Sequence, residues 1–190
     1  MDSDPSQQLM RLSKLMSERG LCSRREADEY IQRGWVFVDG NRVSELGTKV
    51  LPNVAVKLDL PAQAAQSDRM TVLLNKPIGY VSSQPEPGYQ PAIVLVRPET
   101  QSPDEEIKFK REHLKELAPA GRLDIDSTGL LVLTQDGRIA KQLIGENSNV
   151  DKEYLVRVAG TLSDADLKLL NHGLSLDGKA LKPARVRWQN

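Results

Sequence analysis

The hydrophobic positions of this chain follow two rhythms. Leu12, Leu15 and Met16 recur at i, i+3 and i+4, which predicts a helix, and Gly20 suits its left-handed stop. Ser23-Arg24-Arg25-Glu26 has the form of a capping box and predicts a second helix. Ala27, Tyr30 and Ile31 form that helix's apolar stripe, and Gly34 closes it. The rhythm then changes to strand. Trp35 to Val38 is strand-like, Asp39-Gly40 resembles a hairpin turn before Arg42-Val43, and Val54, Val56 and Leu58 alternate. Residues 60–69 are small and polar without hydrophobic period, and are expected to be a linker. Domains are therefore expected at 9–59 and 70–190.

Beyond the linker the pattern is mixed. Thr71 to Leu74 predicts a buried strand ended by Lys76-Pro77. Residues 84–105 carry five prolines and read as a long loop poor in apolar residues. Leu130 to Thr134 predicts a further strand, Asp136-Gly137 a turn, and Ile139, Leu143 and Ile144 a short helix. Tyr154 to Val158 reads as a strand, and Ser163 starts a helix with Leu167 and Leu170 inward. Strands and helices alternate without a strict βαβ order, so the expected class is α+β.

Composition mainly excludes. Over 190 residues, 26 Lys/Arg balance 26 Asp/Glu, so any attraction to nucleic acid must come from local distribution. A single cysteine, Cys22, rules out an internal disulfide framework and a cysteine-based zinc site. With only His113 and His172 besides, a histidine-rich metal centre is also not expected. No apolar run approaches the roughly 18 residues of a membrane span. The N-terminus, MDSDPSQQ, is acidic and polar, unlike a signal peptide, and a reducing cytoplasm is the expected location.

Charge is uneven. Residues 11–57 hold nine Lys/Arg against six Asp/Glu. Arg11, Lys14, Arg24 and Arg25 lie on or near the ends of the two predicted helices, an arrangement that suits phosphate oxygens. From charge alone, a solvated charged face is an equally good reading. The order Arg11-Leu12-Ser13-Lys14, then Gly20-Leu21-Cys22-Ser23-Arg24-Arg25-Glu26-Ala27, then Gly34-Trp35-Val36-Phe37-Val38-Asp39-Gly40 resembles the S4 RNA-binding domain. The resemblance implies that Arg11, Lys14, Ser23, Arg24 and Arg25 face structured RNA. The module has no aromatic pair arranged for base stacking, so RNA shape and backbone are the expected target.

The stretch from Gly121 to Thr134 places Arg122, Asp124 and Asp126 in a glycine-bounded loop before an apolar strand. Three readings compete. Asp124, Asp126, Thr128 and Gly129 nearly follow a calcium-binding loop. The twelfth place is Gln135 instead of glutamate, however, and strand follows where helix is needed. Asp126-Ser127-Thr128-Gly129 is also good turn chemistry, and from this segment alone a structural loop is the favoured reading. The third reading is catalysis. Gly-Arg-Leu-Asp followed by Asp-Ser-Thr-Gly-Leu resembles the signature of pseudouridine synthases. Leu74-Asn75-Lys76-Pro77-Ile78-Gly79-Tyr80-Val81 resembles that family's first motif and Lys152-Glu153-Tyr154-Leu155-Val156 its third.

All three occur in order after an S4-like module. The combination is similar to the S4-containing ribosomal branch, the RsuA/RluB/RluE/RluF group. The 84–90 loop with its Pro-Gly-Tyr looks closest to the F-type enzymes, which act on RNA of the large ribosomal particle. The resemblance implies an isomerisation of uridine in ribosomal RNA, with transfer RNA the other candidate. It implies no metal, nucleotide or redox cofactor and no membrane. Asp124 would be the catalytic carboxylate. Arg122 would fill the gap or bind a phosphate near the extruded base, and Tyr154 would pack near the uracil. Asn75, Lys76 and Pro77 are expected to shape the fold.

The family's later basic run, Asn-Arg-Gln-Ile-Arg-Arg-Met, is not found before the sequence stops at Asn190. The expectation is a C-terminally incomplete catalytic domain, with weak or no activity from these 190 residues alone. The alternative function is a noncatalytic S4-type RNA-binding protein in ribosome assembly.

Overall fold

A computed structural model describes residues 8–84 and 86–189. The acidic N-terminal stretch up to Gln7 and Pro85 of the 84–90 loop, both used above, lie outside the described residues. The chain forms two compact units, 1–150 and 151–190. The expected 60–69 boundary lies inside the first.

That unit begins with the two predicted helices, α1 (Leu12–Glu18) and α2 (Arg24–Gln32). Both arms of the capping box are present. The Glu26 amide donates to Ser23 Oγ at 3.3 Å, and the Ser23 amide donates to Glu26 Oε2 at 2.7 Å. Leu12, Leu15, Met16, Ala27, Tyr30, Ile31 and Val36 form one buried core. Strands β2 (Val36–Val38), β3 (Asn41–Val43) and β5 (Val56–Leu58) lie in the order β3-β2-β5, all antiparallel. Asp39 and Gly40 both have positive φ, 48° and 83°, as the tight β2–β3 hairpin requires. A two-residue pair, β1 (Met10–Arg11) with β4 (Lys49–Val50), sets Arg11 directly opposite Lys49.

The stretch expected as linker is instead helix α3 (Leu60–Ser67). Asp59 caps it, and Pro61 occupies the first turn, where its missing N–H costs nothing. Its buried stripe is made of alanines. Ala62 is fully buried in the N-terminal core and Ala65 packs against it. Gln66 donates to Glu26 Oε1 at 2.9 Å and to the Tyr30 hydroxyl at 2.7 Å.

The rest of the first unit is built on strands β6 (Thr71–Lys76), β9 (Ala118–Pro119) and β10 (Gly129–Thr134). They are antiparallel in the order β6-β10-β9, with Lys76 opposite Gly129 and Thr71 opposite Thr134. One face of the β6–β10 pair is core: Leu131 and Leu133 are buried with Ala92, Val96 and Leu117. Strands β7 (Tyr80–Val81) and β8 (Gln90–Pro91) pair in parallel. The proline-rich stretch thus carries more than loop. Ala92–Leu95 is a 3-10 helix, and Ala92 and Val96 enter the core. Helix α4 (Gly137–Ile144) follows β10 and is capped by Asp136.

A buried polar seam joins the N-terminal module to this sheet. Glu26 and Arg69 form an ion pair. Arg69 also donates to the Gln135 carbonyl at 2.7 Å and to the Tyr30 hydroxyl at 3.4 Å. Beside it, Arg138 holds Asp136 through both carboxylate oxygens, at 2.9, 3.0 and 2.6 Å. At Gly137 a Cβ would lie 2.4 Å from Ser23 Cβ, so only glycine permits this approach.

The unit 151–190 contains helix α5 (Asp164–His172), capped by Ser163 with Leu167 and Leu170 half-buried, and the hairpin β11 (Ser175–Leu176) and β12 (Lys179–Ala180). Tyr154 to Val158, expected as a strand, forms no ladder with any described strand. No described helix is long and apolar enough to cross a membrane.

Candidate active site and RNA-binding face

The loop 120–128 runs from β9 to β10 and carries the charged residues singled out above. Arg122, Asp124 and Asp126 are exposed, while Leu123 and Ile125 turn partly inward. Its backbone is held at successive residues. The Leu123 N–H donates to Ser82 Oγ at 2.8 Å, and the same hydroxyl donates to the Leu123 carbonyl at 2.6 Å. The Asp124 carbonyl accepts from the Ser127 amide at 3.1 Å, closing a turn. The Ile125 carbonyl accepts from the Gly79 amide at 2.9 Å and from Lys76 Nζ at 3.4 Å. Lys76, Gly79 and Ser82 come from the end of β6, the turn after it and the residue that follows β7.

Lys76 is fully buried, with Nζ also donating to the Pro77 carbonyl at 2.9 Å. Burial pushes its ammonium below the ordinary lysine value, against the pull of Asp124 and Asp126. Its stem fills the core face of β6 while its charge sits beneath the aspartate loop. This matches the expectation that Lys76 shapes the fold.

Arg122 forms no ion pair with Asp124 or Asp126 among the described residues, so its guanidinium is not held within the loop. The turn that forms is 124–127, closed by the Ser127 amide on the Asp124 carbonyl, two residues before the Asp126–Gly129 stretch whose composition suggests one, and strand β10 follows where a calcium loop needs a helix. Asp124 and Arg122 therefore share one exposed loop. Tyr154 belongs to the second unit, where it is exposed.

In the N-terminal module, Arg11, Lys14 and Arg24 come together around a hollow of about 440 Å³. Lys49 completes the ring, and pattern reading missed it. It lies on a two-residue strand whose partner only the folded chain reveals. Arg11 and Lys49 stand directly opposite each other, and like charges so placed repel unless an anion lies between them. Arg25 is exposed on α2 outside this ring. Ser23 is engaged otherwise, since its hydroxyl caps α2 and its Cβ faces Gly137. Because the capping box occupies the start of α2, any attraction of this face for phosphate rests on its basic side chains.

The family model of RNA pseudouridylate synthases matches residues 70–184, and that of the S4 domain matches 10–56. The chain belongs to the RNA pseudouridylate synthase family. With its S4 domain it is an S4-containing, RluF-like member of that family. It is 36% identical over 180 residues to the dual-specificity RNA pseudouridine synthase RluF of Escherichia coli O6:H1, covering 94% of this chain and 57% of that protein. It is 37% identical over 169 residues to an uncharacterized RNA pseudouridine synthase of Mycobacterium tuberculosis, covering 88% of this chain and 63% of that one. This family member thus spans little more than half the length of such relatives. A crystal structure of a pseudouridylate synthase superposes with a TM-score of 0.55 at 23% identity, covering 95% of this chain and 73% of that one, which supports the fold.

Proposed function

We propose that the protein isomerises a specific uridine to pseudouridine in ribosomal RNA, with RNA of the large ribosomal particle the leading substrate and transfer RNA the second. The observation that carries this reading is Asp124. Its carboxylate is exposed, yet the backbone on both sides of it is pinned by Ser82, Ser127, Gly79 and Lys76. A fixed backbone with an uncommitted carboxylate suits a group that must meet a reacting atom in one geometry.

The reaction breaks the N1–C1′ bond, turns the uracil, joins C5 to C1′, and moves the C5 proton out as N1 gains one. Its atoms balance without redox cofactor, nucleotide or metal. Asp124 is the group that adds covalently to the substrate or steadies the separated sugar, dividing one hard step into easier ones. The target base leaves its stack to reach it. Arg122 fills the gap or binds a phosphate beside the extruded base, and Tyr154 packs near the uracil. Arg11, Lys14, Arg24 and Arg25, joined by Lys49, hold the RNA backbone, with Ser23 setting the start of the helix that carries two of them. This work on RNA belongs in the cytoplasm.

The test is tritium release from RNA labelled at uracil C5. A chain carried to the full length of its relatives is expected to release tritium, and its Asp124→Asn form to lose release while keeping RNA affinity. Undiminished release from Asp124→Asn would refute the role of Asp124. RNA binding with no release from any RNA class would favour the noncatalytic binder.

A further inference from the structure

We infer that Ser82 is the positioning residue for Asp124, a role that rests on the pseudouridine synthase reading above. A serine hydroxyl has one proton to give and lone pairs to accept with. Ser82 uses both on one residue. It donates to the Leu123 carbonyl at 2.6 Å and accepts from the Leu123 N–H at 2.8 Å. These are the two bonds a neighbouring strand would make, supplied by a side chain at the point where β7 has ended. The Leu123 carbonyl belongs to the peptide plane that enters Asp124. The next two carbonyls are held independently, that of Asp124 by the Ser127 amide and that of Ile125 by the Gly79 amide.

Three consecutive peptide planes are thereby anchored, and the backbone dihedrals of Asp124 are set from both sides. The direction of its Cα–Cβ bond follows. Ser82 is itself only 6% exposed, so water does not compete freely for its hydroxyl. The other anchors remain when Ser82 loses its oxygen. The loop then stays folded while the plane entering Asp124 gains freedom. Misplacing a reacting group by about 1 Å can cost on the order of a hundredfold in rate.

The experiment takes a chain carried to the full length of its relatives as the parent and compares it with Ser82→Ala, Ser82→Thr and, as a destabilised control that leaves the clamp intact, Leu131→Ala in the core of β10. Single-turnover tritium release, RNA affinity and amide exchange at Leu123 are measured on each. Ser82→Ala is expected to slow turnover roughly ten- to a hundredfold, with RNA affinity within about twofold of the parent. Exchange at Leu123 should accelerate while β6 and β10 stay protected. Ser82→Thr, which keeps the hydroxyl, should restore both turnover and protection. Parental turnover by Ser82→Ala would overturn the positioning role alone. So would a loss that Ser82→Thr does not recover, or one that Leu131→Ala reproduces. Failure of the parent protein to isomerise any RNA would instead remove the pseudouridine reading, and the positioning role with it.

Discussion

Strand-like apolar runs occur in two regions of this chain and end differently. In the N-terminal module, Val36–Val38 and Val56–Leu58 pair with each other and close over a core that includes Met16, Tyr30 and Ile31. In the second unit, Tyr154, Leu155, Val156 and Val158 are exposed and form no ladder, and no described residue from 151 onward is buried. A strand-like apolar run states that a stretch can cover an apolar surface. It does not supply the surface. The module has one because two capped helices present their stripes to its sheet, and because α3 and the Glu26–Arg69 seam fasten it to β6 and β10.

The sharpest way to break this contrast is at the seam. Glu26→Ala leaves Arg69 buried without its partner, and should lower unfolding stability by about 3–5 kcal/mol in denaturant titration. A change below about 1 kcal/mol would mean that the module does not depend on the seam. Next in size is Asp136→Asn, expected to cost about 1.5–3 kcal/mol, since it removes a charged acceptor from Arg138. Burial alone would raise the Asp136 carboxyl, but the hydrogen bonds from Arg138 outweigh it and hold it below its ordinary value of 3.8. The folded form therefore binds this proton more weakly than the unfolded chain does. The stabilisation is present above about pH 3.8 and is lost as pH falls below it, and Asp136→Asn should flatten that part of the acid-unfolding curve. The smallest effect is expected in the second unit. Leu155→Ser should change stability by no more than about 0.5 kcal/mol, as for a surface position. A loss comparable to that of Glu26→Ala would show that this apolar stretch is covered after all.

The same contrast explains what pattern reading could see. Helix signals are local, so Ser23 with Glu26, the Leu12–Met16 stripe and Ser163 were legible residue by residue. Helix α3 was not, because its stripe is Ala62 and Ala65, too small to register as hydrophobic period. Ala92 to Val96 was hidden by averaging five apolar residues into a proline-rich stretch. At the site, composition marked out the Gly121–Thr134 loop but favoured a structural role. Resemblance to a family, not spacing, singled out Asp124. Lys49 and Ser82 carried no local signal at all. One acquires its meaning from a strand pairing 38 residues distant from Arg11, the other from a backbone 41 residues further along.

Cys22 sits at 1% exposure, and the charges that bear on it, Glu26, Arg138, Arg69 and Asp136, all belong to the seam. Burial, reinforced by Glu26, pushes its thiol up to about 12, so in the closed molecule it is both covered and protonated at neutral pH. An alkylating reagent meets a thiolate there only when the core of the N-terminal module opens. With one cysteine in the whole chain, the labelling rate becomes a clock for that opening, and RNA that bridges the basic hollow and the aspartate loop should make the clock run slow.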